Sequence, residues 1–204
     1  MSEPLINGIA QYGYFAIFLF VLIQETGLPS PLPNEYVLFF SGYLASTGIL
    51  KLPLVIASVV AADLIAGFLL YELFFHSGKY LLQKKPKWLP IPFRKLARLS
   101  IRIRKSRRKN TFIGRLTPFI RGWVSVLSGM MQLPQKEFSI VLISTSILWA
   151  SAYVCTGFLL GPYYKQLMQH NILLGVAAFA LPLAALILFR ILKQKKTSIL
   201  TTKI

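Results

Sequence analysis

Apolar residues run through this chain in long blocks, and the few polar residues between them mark where helices begin, break and turn. Tyr12 to Gln24 is apolar, Gly27-Leu28-Pro29-Ser30-Pro31-Leu32-Pro33 follows, and Glu35 to Leu50 is apolar again. The middle segment cannot continue a helix, because its prolines remove backbone donors and restrict the residues before them. A vertical crossing needs about 20 apolar residues, so each arm is short, and the pair reads as a re-entrant hairpin with its break at Pro29, Pro31 and Pro33 inside a membrane. Leu52 to Phe75 is long enough to cross fully. Thr111 to Leu133 forms a second broken segment with its break at Pro118, returning to Pro134-Gln135-Lys136. Phe138 to Leu160 then crosses, Gly161-Pro162-Tyr163 turns, and Leu173 to Leu192 crosses back. Replacing either hairpin by two full spans would leave the same loops on the same side, so that alternative stays open.

The two broken segments are one pattern written twice. Aligned without gaps, Ser30 to Gly42 lies over Thr117 to Gly129, with Pro31 on Pro118, Val37 on Val124, Ser41 on Ser128 and Gly42 on Gly129. The first copy carries Glu25 and Glu35 where the second carries Arg115 and Arg121. Paired interrupted segments in two halves of a membrane protein point to a transporter-type site. The predicted fold is therefore an all-α polytopic membrane protein, with two inverted re-entrant helical hairpins, about three full spanning helices and a basic amphipathic cytoplasmic segment. The whole chain reads as a single membrane domain. Residues 8–75 make the first repeat, 79–109 the basic loop, 111–160 the second repeat, 171–192 the final span and 193–204 a basic tail.

Composition supports the membrane reading. Of 204 residues, 55% are hydrophobic and 13% aromatic, with a mean hydropathy of +0.60, too apolar for an ordinary soluble domain. Residues 8–24 lack a basic leader and a small-residue cleavage site, so they read as retained structure. The net charge of +17 raises the question of nucleic acid, but its placement answers it. The first 50 residues hold no lysine or arginine, whereas residues 79–109 hold thirteen and no acid, and Lys193, Lys195, Lys196 and Lys203 follow Arg190 in the tail. Such asymmetry puts the loop and the C-terminus in the cytoplasm. The loop is also amphipathic and carries Trp88, which suits an anionic inner leaflet; pure topology-setting charge is the plainer reading. No recognition motif accompanies the charge, so nucleic acid is not an expected partner. Cys155 stands alone and reads as a packing residue.

An ionisable residue at the centre of a span costs about 2.5 to 3.5 kcal/mol, so it must face a partner or a polar cavity. The chain holds six acids, of which Glu25, Glu35, Asp63 and Glu72 fall at or near membrane depth. Arg115 and Arg121 are separated by Pro118, and a break there would let both line one cavity opposite Glu25 and Glu35. Two guanidinium forks suit a phosphate, with the carboxylates neutralising them when the site is empty. The same four residues also read as a structural ion-pair clamp. Asp63 is either a proton site or a hydrogen-bond partner for a neighbouring helix, and Glu25 and Glu35 are the other proton-coupling candidates. Glu72 reads as an interfacial partner for lysine, Trp149 as a packed core residue, and His76 and His170 as interfacial residues without metal-ligand company. No metal, cofactor or nucleophile-and-base pair is expected, so the chain does not read as an enzyme.

Glu25-x-x-x-Pro29-x-Pro31-x-Pro33-x-Glu35, Gly114-Arg115-x-x-Pro118-x-x-Arg121, and then Gly129, Met131, Phe138, Trp149 and Gly157 resemble the DedA superfamily, also called the SNARE-associated Golgi protein or VTT-domain family. The resemblance covers roughly residues 10 to 162 and implies lipid transporters or scramblases built on two opposed re-entrant hairpins. It implies that Glu25 and Glu35 match the family's membrane acids and that Arg115 and Arg121 match its two arginines. Bacterial members are associated with undecaprenyl phosphate recycling, phosphatidylethanolamine distribution and envelope maintenance dependent on the proton motive force. Two departures stand out. Phe74-Phe75 replaces a Gly-Arg pair after the first span, and Asn34 replaces the commoner glycine before Glu35. The expected function is flippase-like movement of a phosphate-bearing lipid, undecaprenyl phosphate first, with proton coupling, in the cytoplasmic membrane of a bacterium. The alternatives are a passive phospholipid scramblase of the phosphatidylethanolamine type and a structural or insertase-like factor. Expected partners are membrane lipids, either polyprenyl phosphate or phospholipid, and anionic inner-leaflet lipids at the basic loop. A homo-oligomer is left open.

Overall fold

A computed structural model describes residues 3–26, 32–84, 107–117 and 120–170. The described residues form six helices: α1 (Glu3–Glu25), α2 (Asn34–Ser46), α3 (Leu52–Lys84), α4 (Arg107–Leu116), α5 (Arg121–Met130) and α6 (Gln135–His170). Residues 1–159 make one compact unit; the described part of the second unit, residues 160–170, is the end of α6.

Two helices among the described residues are long and apolar enough to cross a membrane, over Leu52–Gly78 and Gln135–Tyr163. A stretch of 27 residues is about 40 Å long, more than the roughly 30 Å of a bilayer core. They run antiparallel, because contacts advance along one helix as they retreat along the other. Asp63 meets Ser146. A Cβ on Gly67 would lie 2.6 Å from Leu142 Cδ1. Tyr71 stacks on Phe138 with ring centroids 4.4 Å apart, and its hydroxyl donates to the Leu133 carbonyl at 2.6 Å.

The short helices stop where the expected breaks lie. Pro33, extended at φ −63° and ψ 145°, precedes α2, and the chain between Leu116 and Arg121 separates α4 from α5. Pro29, Pro31 and Pro118 lie outside the described residues, as do residues 85–106 of the basic loop, the final span at 171–192 and the tail. Three boundaries need correction. α3 continues through residues 79–84, which the charge pattern assigned to the loop, and residues 107–110 already belong to α4. α6 continues through Gly161-Pro162-Tyr163, where a turn was expected. A proline removes one donor and strains one carbonyl, which a long helix with a small residue beside the proline absorbs without ending.

Each short second arm crosses the long helix of the other half, and backbone meets backbone there. A Cβ on Gly42 of α2 would overlap the Val154 carbonyl and approach the Phe158 nitrogen on α6. One on Gly129 of α5 would overlap the Tyr71 carbonyl and approach the Phe75 nitrogen on α3. Gly42 and Gly129 are the residues that coincide in the repeat, and Tyr71 and Val154 stand at the same step of α3 and α6, the twentieth residue of each. Asp63 and Ser146 are likewise each the twelfth residue of their helices, and they touch. The exchange relating the two halves therefore passes between Asp63 and Ser146.

Layering follows from this. Along α3, the buried apolar residues Val55, Val59 and Ala62 precede Asp63, and Leu70 and Phe74 come after it. Along α6, Phe138 and Leu142 precede Thr145 and Ser146, and Trp149, Ala150 and Val154 follow. Outward faces are apolar instead, with Ile65, Leu69 and Leu73 on α3 and Ile143, Ile147 and Leu148 on α6 exposed. Polar residues inside and apolar residues outside suit hydrocarbon as the solvent. Because only glycine lets these backbones approach, Gly42→Ala is expected to lower the thermal midpoint in detergent, with an overpacking cost of about 1–3 kcal/mol or more. Gly8→Ala, which meets nothing within 4 Å, should leave it unchanged. Equal midpoints for the two variants would contradict this packing.

Candidate functional site

Six helix segments converge on the polar layer, each contributing a residue fixed by its place in the repeat. Glu25 is the last residue of α1, and Asn34 and Arg121 are the first residues of α2 and α5. Arg115 lies in the last turn of α4, Asp63 near the middle of the α3 span, and Thr145, Ser146 and Trp149 on adjoining turns of α6. Small residues make the convergence possible. A Cβ on Gly114 would lie 2.9 Å from Val124 Cγ2, and one on Gly122 would lie 3.1 Å from the Glu25 carbonyl, so the end of α1 and the start of α5 abut. Gly67, one turn beyond Asp63, leaves room for Arg115.

Asp63 is the hub. Arg115 Nη2 donates to both its oxygens at 3.0 Å, Arg121 Nη2 pairs with Oδ2 at 2.5 Å, and the Ser146 hydroxyl donates to the same Oδ2 at 2.5 Å. Every nitrogen of Arg115 has a partner, since its Nε donates to Thr145 Oγ1 at 3.1 Å and its Nη1 to Ser125 Oγ at 2.5 Å. Arg121 is not. Its Nε lies 3.2 Å from Glu25 Oε1, close enough for attraction but out of line for a hydrogen bond, and its Nη1 has no hydrogen-bond partner among the described residues. The Arg121 guanidinium lies over Trp149, its Cζ 3.4 Å from the ring centroid. Such stacking favours a desolvated cation by about 2 kcal/mol. Asn34 Nδ2 donates to Glu25 Oε1 at 2.8 Å and ties the start of α2 to the end of α1, together with the bond from the Gln24 amide to the Leu32 carbonyl.

These charges are out of solvent: Asp63 is 0% exposed, Arg115 1%, and Glu25 and Arg121 5% each. Two cations and two anions sum to zero, which is the condition under which buried charges persist. Arg115 therefore acts as a clamp that fastens α4 to α3, α5 and α6. Arg121 holds two carboxylates and still has a nitrogen to offer.

Of the residues expected at the site, Glu25, Arg115 and Arg121 are brought together, and Asp63 stands at their centre rather than at the margin. Glu35 is half-buried and makes no ion pair among the described residues, so the arginines face Glu25 and Asp63 rather than Glu25 and Glu35. Glu35 directly follows Asn34, and a helical step of about 100° turns it off the face that Asn34 presents. The sequence reading missed Asn34, Ser125, Thr145, Ser146 and the stacking role of Trp149. Only Asn34 carried a signal, its alignment with Arg121. Hydroxyls on apolar helices bond their own backbone, as Ser146 and Thr145 also do, so their second partners leave no trace in the pattern. Glu72 pairs with His76 at 3.7 Å on an exposed face of α3. Among the described residues, no group of three or more His, Cys, Asp or Glu side chains is placed to hold a metal ion.

The VTT domain profile matches residues 32–159, which run from the start of α2 through the first unit's share of α6 and include every residue of the cluster except Glu25. The chain belongs to the VTT-domain, or DedA, family. Relatives within it are membrane proteins. The uncharacterized membrane protein slr0232 of Synechocystis sp. is 25% identical over 74% of this chain and 68% of its own length. YbfM of Bacillus subtilis is 24% identical over 75% of this chain and 93% of its own. Undecaprenyl phosphate transporter A of Bacillus subtilis is 23% identical over 81% of each. No solved structure matches the chain.

Membership places the buried cluster in a membrane protein, where its neutrality matters most. Asp63→Asn leaves two guanidinium groups with one carboxylate between them and is expected to cost about 3–5 kcal/mol of stability, read as thermal unfolding in detergent. Glu72→Gln, at the exposed pair, should change the midpoint little. An Asp63→Asn protein as stable as the parent would contradict the role of Asp63 as hub.

Proposed function

We propose that this chain moves a phosphate-bearing lipid across the bilayer, and that the lipid is undecaprenyl phosphate. The observation that carries the proposal is the buried Arg121, stacked on Trp149 and holding two carboxylates, with one guanidinium nitrogen unused. A planar cation with an unshared donor in a low-dielectric site suits a phosphate oxygen. α2 and α5 both begin at the cluster, and neither has a side-chain cap, so backbone N–H groups at two helix N-termini favour the same anion. The naming of two relatives as undecaprenyl phosphate transporter A supports this choice of lipid.

In this reading α1 with α2, and α4 with α5, are inverted re-entrant hairpins within a single membrane domain, breaking near the midplane. The antiparallel α3 and α6, the exchanged glycine crossings and the burial of every residue from Val124 to Met130 in the ten-residue α5 support it. The protein sits in the cytoplasmic membrane of a bacterium with its basic loop and C-terminus inside, where residues 79–109 meet anionic lipid. The phosphate enters between the hairpins and takes Arg121 while the tail stays in the bilayer. Arg115 remains on Asp63. A phosphate anion makes the neutral cluster negative, so Glu25, losing its share of Arg121, takes up a proton and couples release to proton movement. Glu25 is the carboxylate for this step because Asp63 is held by two guanidinium groups and a hydroxyl.

Purified protein in liposomes is expected to move labelled undecaprenyl phosphate, faster with a pH gradient than without. Arg121→Lys, which keeps the charge but loses the planar stack and fork, should lower the rate at least about tenfold. Retained movement in Arg121→Lys would contradict the arginine's role. Equal movement of phosphatidylethanolamine without any effect of the gradient would make the protein a passive scramblase, and movement of neither lipid would leave a structural factor.

A further inference from the structure

The polar layer has unfinished hydrogen bonding, and the residues that carry it are linked through Glu25 and Arg121. Buried side-chain nitrogen and oxygen atoms without a hydrogen-bond partner among the described residues are Arg121 Nε and Nη1, Trp149 Nε1 and Asn34 Oδ1. Arg121 Nε is electrostatically occupied by Glu25 at 3.2 Å, which leaves two donors and one acceptor. Their residues touch in series: Asn34 and Arg121 share Glu25 Oε1, at 2.8 and 3.2 Å, and Arg121 lies on Trp149. Asn34 is 9% exposed, Arg121 5% and Trp149 4%. Burying such atoms unsatisfied is costly, and their clustering points to a ligand that supplies the missing partners.

The orientation of the Asn34 amide follows from its neighbour. With Nδ2 on the carboxylate the contact is attractive, whereas the flipped amide would set oxygen against oxygen. Oδ1 is thereby committed as an acceptor in want of a donor. A bare oxyanion offers none. A phosphate monoester carrying one proton offers two or more acceptor oxygens and a single hydroxyl, the complement of two donors and one acceptor. The charge count favours the same species, since a monoanion unbalances the neutral cluster by one charge and a dianion by two.

Resting on the reading of the cluster as a lipid-phosphate site, we infer that Asn34 is a specificity residue that accepts a hydrogen bond from the P–OH group of a phosphate monoester and thereby selects monoesters over phosphodiesters. A diester puts an ester carbon where the hydroxyl should be and leaves Oδ1 without a donor. Arg121 Nη1 and Trp149 Nε1 donate to the remaining oxygens in both cases, so Asn34 sets the preference between them.

The test compares binding of dodecyl phosphate and methyl dodecyl phosphate to the full chain in detergent by calorimetry, at about pH 5, where both are monoanions. Movement of undecaprenyl phosphate in liposomes is measured in parallel. The parent should bind the monoester at least about tenfold more tightly than the diester, the loss expected for one unsatisfied buried acceptor. In Asn34→Gly and Asn34→Leu the two affinities should converge to within about twofold, and Asn34→Gln, which keeps the amide, should retain part of the preference. Two substitutions of different size guard against a variant that fails to fold. No preference in the parent, or the same preference in all variants, would overturn the inference, with Oδ1 then satisfied by water. Selective binding without lipid movement would uphold the role of Asn34 and sink the transport reading instead.

Discussion

The carboxylate of Asp63 holds both guanidinium groups, and the arrangement of the chain depends on that attachment. Arg115 arrives on the end of α4 and Arg121 on the start of α5, so a single side chain from α3 secures both arms of the second broken segment. Ser146 adds α6 to the same oxygen that takes Arg121. In hydrocarbon, where an unpaired charge costs several kcal/mol, such a junction is stable only if it is complete, and the net neutrality of Glu25, Asp63, Arg115 and Arg121 completes it.

Its position follows from the repeat. Asp63 and Ser146 occupy matching steps of two antiparallel helices, so the exchange that relates the halves passes between them, and the broken arms are delivered there from both sides. The glycine crossings at Gly42 and Gly129 set how closely the arms lie against the long helices. What differs between the halves is chemistry. Where the second carries Arg121 the first carries Asn34, and where α6 carries a serine α3 carries the aspartate. A symmetric frame thus holds an asymmetric site with a cationic, aromatic side and an acidic, amide-bearing side.

Much of this was legible in the residues. Proline breaks, spans of sufficient length and the doubled Pro-Val-Ser-Gly pattern located the short helices, and the scarcity of acids narrowed the membrane carboxylates to Glu25, Glu35, Asp63 and Glu72. The choice between Asp63 and Glu35 as partner of the arginines was not legible. Both are acids at membrane depth, and only the rotation of α2 turns Glu35 off the face where Asn34 meets Glu25. Ser125, Thr145 and Ser146 were hidden by their own helices, whose carbonyls satisfy such hydroxyls wherever they point. Pro162 misled in the other direction, because helix-breaking tendency is a local property and α6 is long enough to override it.

The division between a clamping Arg115 and a substrate-binding Arg121 is the central claim, and distance-sensitive solid-state NMR addresses it directly. Protein labelled with 15N at arginine side chains would be reconstituted with undecaprenyl phosphate, and dephasing of the lipid 31P signal by nearby nitrogen recorded. Dephasing from direct guanidinium–phosphate contact in the parent, abolished in Arg121→Lys while Asp63 still holds Arg115, is the expected result. Dephasing that survives Arg121→Lys would put the phosphate on another arginine, and its absence from the parent would remove the phosphate from the cluster altogether.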